Sequence, residues 1–143
     1  MKPIVLLPEE GESVSLGATT VRFLAQQGDS ETIAVTDAVL APGFPGPVPH
    51  SHERMYDCYY VLEGSISFLL AGEELSLSAG SFVLVPPGVV HTFSNPGHEP
   101  ARILNVIQPA GYEQYLKEAA ALPSPDPASM AEIAARYDFT PAG

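Results

Sequence analysis

The chain has 143 residues and a 45% hydrophobic fraction, which suits one soluble domain with a single core. Its apolar runs are too short to span a bilayer, and acidic residues follow the first apolar run too soon for a secretory signal, so we expect a cytoplasmic location. A net charge of −11 with only six Lys and Arg residues argues against nucleic acid or an anionic membrane as partner, and the single Cys58 excludes an internal disulfide.

Residues 1 to about 110 are predicted to form short strands separated by Gly, Pro and acidic turns. The predicted strands lie at 3–7, 20–25, 32–40, 59–70 (a hairpin turning near Glu63-Gly64), 74–78, 81–86 and 101–109. The stretch 41–49 is too rich in Pro and Gly for a central strand and is predicted to be an exposed, stiff connection. Many short strands at regular spacing favour a sandwich or barrel.

The pattern changes after Pro109, where helix-forming residues dominate. A first helix is predicted over 111–122, with Tyr112, Tyr115 and Leu116 on one face. A Pro-rich break at 123–128 precedes a second helix over 129–137, which we expect to begin with a capping box of Ser129 and Glu132. We therefore divide the chain into a β-barrel, 1–110, and a helical extension packed on it, 111–143.

Three of the four histidines fall in two short blocks of the sequence. His50 and His52 are two residues apart, so in an extended strand their side chains share one face, with Cα atoms about 6.6 Å apart. That separation allows both imidazoles to reach one metal ion at about 2.0–2.1 Å. His91 follows a Pro87-Gly88 turn at the start of another extended run, so a third imidazole is expected from a neighbouring strand.

These blocks resemble the two motifs of the cupin family. The first motif has the form G-x5-H-x-H-x(3,4)-E-x6-G; here its glycine at the start is displaced, its glutamate position holds Asp57, and Gly64 closes it. The second motif, G-x5-P-x-G-x2-H-x3-N, is matched at every position by Gly80, Pro86, Gly88, His91 and Asn95. The resemblance implies an all-β, jelly-roll-type antiparallel β-barrel.

The resemblance also implies that His50, His52 and His91 bind one divalent metal ion, with Asp57 at the carboxylate position. An aspartate reaches about 1.5 Å less than a glutamate. Asp57 therefore binds directly after a strand shift, binds through water, or stays unbound as a catalytic base. Imidazoles with one carboxylate suit Fe, Ni, Mn, Co, Cu or Zn, and such a donor set leaves coordination positions open for substrate.

The remaining site residues are predicted from strand alternation. Tyr59 shares the parity of Asp57, and Phe93 shares that of His91, so both are candidates for the substrate cavity, although core packing is the commoner role for such side chains. Cys58 is expected on the opposite strand face as a packing residue. His98, in the sequence NPGHEP, is expected to be an ordinary loop residue.

Within the cupins, the chain looks most similar to small single-domain proteins related to quercetinase-type dioxygenases. This resemblance implies oxidation of an enolisable or phenolic, flavonol-like small molecule. Two alternatives use the same fold: a redox-neutral isomerase, cyclase or decarboxylase with the same ligands, and a non-enzymatic ligand-binding protein. We also expect a homodimer, with the apolar stretch 3–7 covering a sheet edge.

Overall fold

Two antiparallel β-sheets face each other in the computed structural model, which describes residues 2–142. The strands are β1 Ser13–Leu16, β2 Thr19–Ala25, β3 Ala34–Leu40, β4 His50–Ser51, β5 Tyr56–Glu63, β6 Ser65–Leu70, β7 Glu73–Ser78, β8 Phe82–Val85, β9 His91–Ser94, β10 Ala101–Gln108 and β11 Thr140–Pro141. The helices are α1 Tyr115–Ala120 and α2 Pro127–Ala134, with 3-10 turns at Tyr112–Gln114 and Ala135–Tyr137. The expected all-β class is confirmed.

The first sheet has the strand order β1-β2-β3-β10-β5-β8, and the second has the order β11-β4-β9-β6-β7. Residues from both sheets form one apolar core, for example Val61 and Ile103 from the first sheet with Ile66 and Phe68 from the second. Strand alternation sorts the side chains: on β5, Asp57, Tyr59 and Val61 are buried while Tyr56 and Tyr60 are exposed. The inward faces of both sheets therefore define the interior in which a site can form.

The predicted hairpin over 59–70 is wrong. Both strands exist, but β5 pairs with β10 and β8, whereas β6 pairs with β7 and β9, so the chain crosses between sheets at Gly64. Gly64 has a φ of 76°, and a Cβ there would lie 2.7 Å from the carbonyl oxygen of Pro100. A glycine turn between two alternating strands is the same local signal whether the chain folds back or changes sheet.

The strand predicted at 3–7 is also wrong. Residues 3–7 form no regular element, and Ile4, Val5 and Leu7 are exposed. Prolines at 3 and 8 flank the run and lack the backbone N–H needed for strand pairing. The strand that does occupy the outer position of the first sheet is β1, which pairs with β2 and was not predicted.

The connection from 41 to 49 runs against β9, outside the central strands, and is only partly exposed. Phe44 forms a bridge with Asn95, and the hydroxyl of Thr92 donates a hydrogen bond of 2.6 Å to the carbonyl of Pro47. A Cβ at Gly46 would lie only 1.7 Å from the carbonyl oxygen of Phe93. This close backbone approach fixes the path by which the chain reaches His50.

Two short helices follow the strands, as predicted, and Leu116 of α1 packs against the apolar core. The predicted capping box is wrong: α2 begins two residues earlier, at Pro127, and its N-cap is Asp126. The Asp126 carboxylate accepts the Ser129 N–H at 2.9 Å, so Ser129 lies within the first turn. No helix within residues 2–142 is long and apolar enough to cross a membrane.

Candidate metal centre

His50, His52 and His91 converge inside the second sheet. His50 lies on β4 directly opposite His91 on β9, and His52 follows β4 by one residue. One nitrogen from each ring lies within 4.8 Å of the other two, and all three side chains are buried. The two sequence blocks therefore meet because antiparallel pairing places their histidines side by side.

A backbone carbonyl lies beside Nδ1 of each of the three rings. The Nδ1 atoms of His50, His52 and His91 are 2.7, 2.6 and 3.0 Å from the carbonyl oxygens of Val48, Asp138 and Val89, respectively. A carbonyl can only accept, so each Nδ1 carries the hydrogen, and Nε2 of the neutral ring keeps a free lone pair. This is the tautomer in which Nε2 is available to a metal.

The His52 ring provides a direct test of whether a metal fits. Its Nε2 is buried and has no hydrogen-bond partner among the described residues, a state that costs free energy in a folded protein. A cation accepting the lone pair removes that cost. Three buried imidazole nitrogens with nearby carboxylate oxygens are a donor set suited to a divalent transition metal.

Asp57 lies beside this cluster and not within it. Its Oδ2 is 3.2 Å from Nε2 of His91 and 3.4 Å from Nε2 of His52, yet the set of mutually close donors contains only the three histidines. The Asp57 carboxylate also accepts hydrogen bonds from the Tyr59 hydroxyl at 2.6 Å and the Asn105 amide at 2.7 Å. Asn105, on β10, was not among the predicted site residues, because a single asparagine in a strand carries no motif signal.

Burial and charge set the protonation of these groups. Burial lowers the pKa of His50 to about 4, so this ring is neutral near pH 7. Burial alone raises the pKa of Asp57, but the close approach of its Oδ2 to His52 and His91 outweighs that effect and leaves the pKa below its ordinary value. Burial, with the Asp57 charge, raises the pKa of Tyr59 well above its ordinary value, so the phenol keeps its proton.

A largely apolar cavity of about 240 Å³ lies next to the histidines. Tyr59 and Phe93, the two predicted cavity residues, both line it, together with His50 and Asp57. The rings of Tyr59 and Phe93 are 5.2 Å apart, and both also contact Phe68 in the core, so they serve packing and cavity lining at once. The volume lies just below the range of about 300–1,000 Å³ typical of ligand pockets, which suits a small ligand.

The C-terminal part of the chain forms part of the wall of this cavity. Tyr112, Tyr115, Met130 and Phe139 all line it, and the Tyr112 ring meets His52 edge-on at 4.7 Å. Asp138 and Phe139 were missed by the sequence interpretation, because their partners lie more than 80 residues earlier and no local pattern marks such contacts. The residues that reach the site thus come from the barrel and from the segment that follows it.

Two further predictions concern residues away from the site. Cys58 is half-buried on the opposite face of β5 from Asp57, as strand alternation predicts. His98 lies exposed in the loop between β9 and β10, outside the histidine cluster.

This fold and three-histidine site are those of a cupin, and the family comparison agrees. Residues 36–107, which include all three histidines, match the cupin domain family. The chain belongs to the cupin family.

Named relatives extend the comparison. Quercetin 2,3-dioxygenase of Bacillus subtilis is 27% identical over 80% of this chain and 34% of its own length. Germin-like protein subfamily 2 member 2 of Arabidopsis thaliana is 32% identical over 74% of this chain and 49% of its own length. The structure of KdgF from Halomonas sp. has a TM-score of 0.69 at 18% identity, covering 79% of this chain and 99% of that one. The chain therefore spans between a third and a half of these two curated relatives, and the likeness to KdgF is one of fold.

Proposed function

We propose that this cupin is a metal-dependent dioxygenase that acts on an enolisable or phenolic small molecule. The observation that carries the proposal is the set of three buried imidazoles, each with Nδ1 engaged by a carbonyl, of which His50 lies on the wall of an apolar cavity. Substrate sites are concave and apolar with a few fixed polar groups, and this cavity has that character. The similarity to a protein named quercetin 2,3-dioxygenase supports the choice of reaction.

In this proposal His50, His52 and His91 hold one divalent ion, of Fe, Ni, Mn, Co, Cu or Zn. When bound, the ion supplies a Lewis acid that lowers the pKa of a substrate hydroxyl. The rings need no rearrangement to accept it, because their tautomers are already fixed by backbone carbonyls.

Asp57 is proposed to be the base that takes the proton from the substrate hydroxyl. Its carboxylate is ionised, lies on the cavity wall and is fixed by Tyr59 and Asn105. Of the alternatives open from the sequence, this position favours the base over direct ligation, because Asp57 lies outside the group of mutually close donors. Tyr59 and Phe93 are proposed to flank an aromatic substrate, since aromatic faces and edges attract one another.

Oxygen consumption tests the proposal. Protein loaded separately with Fe, Ni, Mn, Co, Cu or Zn is mixed with flavonols and other enolisable aromatics while an electrode records dissolved oxygen. The proposal expects substrate-dependent uptake with at least one metal and none with the metal-free protein. No uptake with any of these metals would falsify it.

One observation favours a redox-neutral reaction as the second candidate. The hydrogen-bonded pair of Asp57 and Tyr59 places a carboxylate and a phenol side by side, the two kinds of group that acid–base isomerisation, cyclisation or decarboxylation of an enolisable substrate uses without oxygen. Turnover in an oxygen-free chamber would identify this class. Ligand binding without any turnover would identify a binding protein instead.

We further propose a cytoplasmic homodimer formed through the outer face of the first sheet. Phe82, Leu84 and Tyr60 on this face are 59%, 50% and 41% exposed, and β8 is the terminal strand of its sheet among the described residues. Contiguous exposed apolar side chains are typical of interaction surfaces. The acidic net charge makes neither nucleic acid nor an anionic membrane an expected partner.

A further inference from the structure

The segment 138–142, here called the C-terminal clasp, lies directly against the strand that carries His50 and His52. Its strand β11 is antiparallel to β4, with Pro141 opposite His50 and Thr140 opposite Ser51. The Ala142 N–H donates a hydrogen bond of 2.9 Å to the carbonyl of Pro49. Because β4 has only two residues, this pairing supplies much of its backbone support on one side.

Asp138 contacts the histidine block with both its backbone and its side chain. Its carbonyl oxygen is 2.6 Å from Nδ1 of His52, and it is therefore the group that fixes the tautomer and direction of this ring. Its carboxylate accepts the N–H groups of Glu53, Arg54 and Met55 at 2.5, 3.0 and 3.1 Å. The backbone has a φ of 73°, in the left-handed region that aspartate tolerates better than most residues.

Phe139, the next residue, packs on the other histidine of the block. Its ring stacks on the His50 imidazole, with centroids 4.4 Å apart and planes 22° from parallel, and the side chain is buried. Phe139 also lines the cavity. Two adjacent residues of the clasp thus hold two different candidate ligands, one through a hydrogen bond and one through ring packing.

We propose that Asp138 is a positioning residue of the metal centre. Without it, the barrel strands would lack the carbonyl that orients His52. The inference rests on the metal site of the proposed function and goes beyond it, since Asp138 lies outside both sequence motifs and is not a ligand. Its three backbone hydrogen bonds hold the carbonyl that orients His52. Partners of this kind typically contribute 10- to 100-fold to metal affinity.

A positioning role must be separated from a general loosening of the C-terminal segment, and the chain offers a matched control. Asp126 is also a C-terminal aspartate that accepts a backbone N–H, from Ser129 at 2.9 Å, but it caps α2 at the surface and contacts none of the three histidines. Asp126→Ala weakens the segment without touching the proposed centre. For Asp138, glycine and asparagine are the informative replacements, because both accept a φ of 73°.

The experiment measures Co²⁺ affinity by chelator competition in the full-length wild type, Asp138→Gly, Asp138→Asn and Asp126→Ala, with circular dichroism as the check on folding. We expect Asp138→Gly to weaken binding about 10- to 100-fold, Asp138→Asn to weaken it less, and Asp126→Ala to leave it unchanged. In the Co²⁺-loaded wild type, proton NMR should show three shifted exchangeable signals, one for each Nδ1–H. In Asp138→Gly the His52 signal should be lost to faster exchange with water.

Wild-type affinity in both Asp138 variants overturns the proposal, and so does an equal loss in Asp126→Ala. Asp138→Asn, which keeps the shape of the side chain, decides the question should the glycine variant not fold. Wild-type protein that binds no Co²⁺ contradicts this inference and the metal site together. Because affinity is measured and not turnover, wild-type protein that binds Co²⁺ but consumes no oxygen contradicts only the oxygenase proposal.

Discussion

The Asp57 carboxylate and the Tyr59 hydroxyl share a buried hydrogen bond of 2.6 Å on the cavity wall. The two residues are neighbours on one face of β5, so the bond follows from strand alternation. The same oxygen of Asp57 lies 3.2 Å from Nε2 of His91. One carboxylate therefore links the phenol that faces the cavity to the histidines of the proposed metal centre.

Replacing Asp57 with asparagine separates its two possible roles. If Asp57 is a base, the variant still binds one metal ion per chain but loses turnover by about 10²- to 10⁴-fold, the usual contribution of such a group. Metal content by elemental analysis and initial rates provide the two measurements. Asp37→Asn is the matched control, since Asp37 is a buried aspartate on the same sheet whose partners are Arg102 and Arg22.

A metal-free Asp57→Asn protein would identify Asp57 as a direct ligand instead. Unchanged turnover in that variant would remove Asp57 from the mechanism altogether.

Removing the metal is expected to leave the chain folded. The apolar core around Phe68, Val61 and Ile103 includes none of the three histidines, so a chelator should abolish activity while the far-ultraviolet circular dichroism spectrum stays native. His91→Ala should lose the metal because it removes one of the three clustered imidazoles. His98→Ala, at the exposed fourth histidine, should retain the metal. Unfolding on chelation would show that the site is structural and not catalytic.

Acid should weaken the fold partly through Asp37. Two hydrogen bonds from the Arg102 guanidinium, at 2.9 and 2.6 Å, hold the pKa of Asp37 below its ordinary value. The carboxyl of Asp37 therefore takes up a proton more readily in the unfolded chain than in the folded one. Its contribution to the free energy of unfolding is present above about pH 4, the pKa in the unfolded chain, and is lost as the pH falls below that value.

The Asp37→Asn variant measures this contribution. The variant loses the ion pair with Arg102 and should lower the free energy of unfolding at pH 7. The loss should be only about 1 kcal/mol, because the Arg102 side chain is partly exposed. Urea unfolding at pH 7 and pH 3 should show the difference from wild type shrinking in acid. If the two proteins differed in free energy of unfolding by the same amount at both pH values, the lowered pKa of Asp37 would be contradicted.

Charge placed on the outer face of the first sheet should dissociate the proposed dimer. Phe82→Glu introduces a carboxylate at the most exposed aromatic side chain of that face, and a buried unpaired charge is costly in an interface. Sedimentation velocity should then show monomers. Val5→Glu, in the exposed N-terminal segment, is the control that should stay dimeric. Dissociation by Val5→Glu alone would assign the contact to residues 3–7, and a monomeric wild type would end the proposal.

Most of the barrel strands and the histidine cluster were predictable because their signals are local. Alternation on β5 identified the faces of Asp57, Cys58 and Tyr59, and the spacing of His50 and His52 indicated a shared side of the chain. Strand pairing was not local, so the crossing at Gly64 was misread as a hairpin.

The contacts of the C-terminal clasp could not be predicted either, because they too join residues far apart in the sequence. Asp138 reaches residues 52–55 across more than 80 positions, and β4 and β11, at two residues each, are too short to show a period. The N-cap of α2 was misplaced by three residues because Ser129 and Asp126 are both common cap residues, and only the backbone shows which one lies outside the helix.

The tight passage of Gly46 past Phe93 has a consequence for anyone who wishes to redesign this protein. Val21, Ala38 and Leu40 line the cavity from β2 and β3, so libraries at those positions change the space available to a ligand. Position 46 is different, because even a methyl group there meets main-chain atoms. Directed evolution of new specificity should therefore diversify the former and keep the latter fixed.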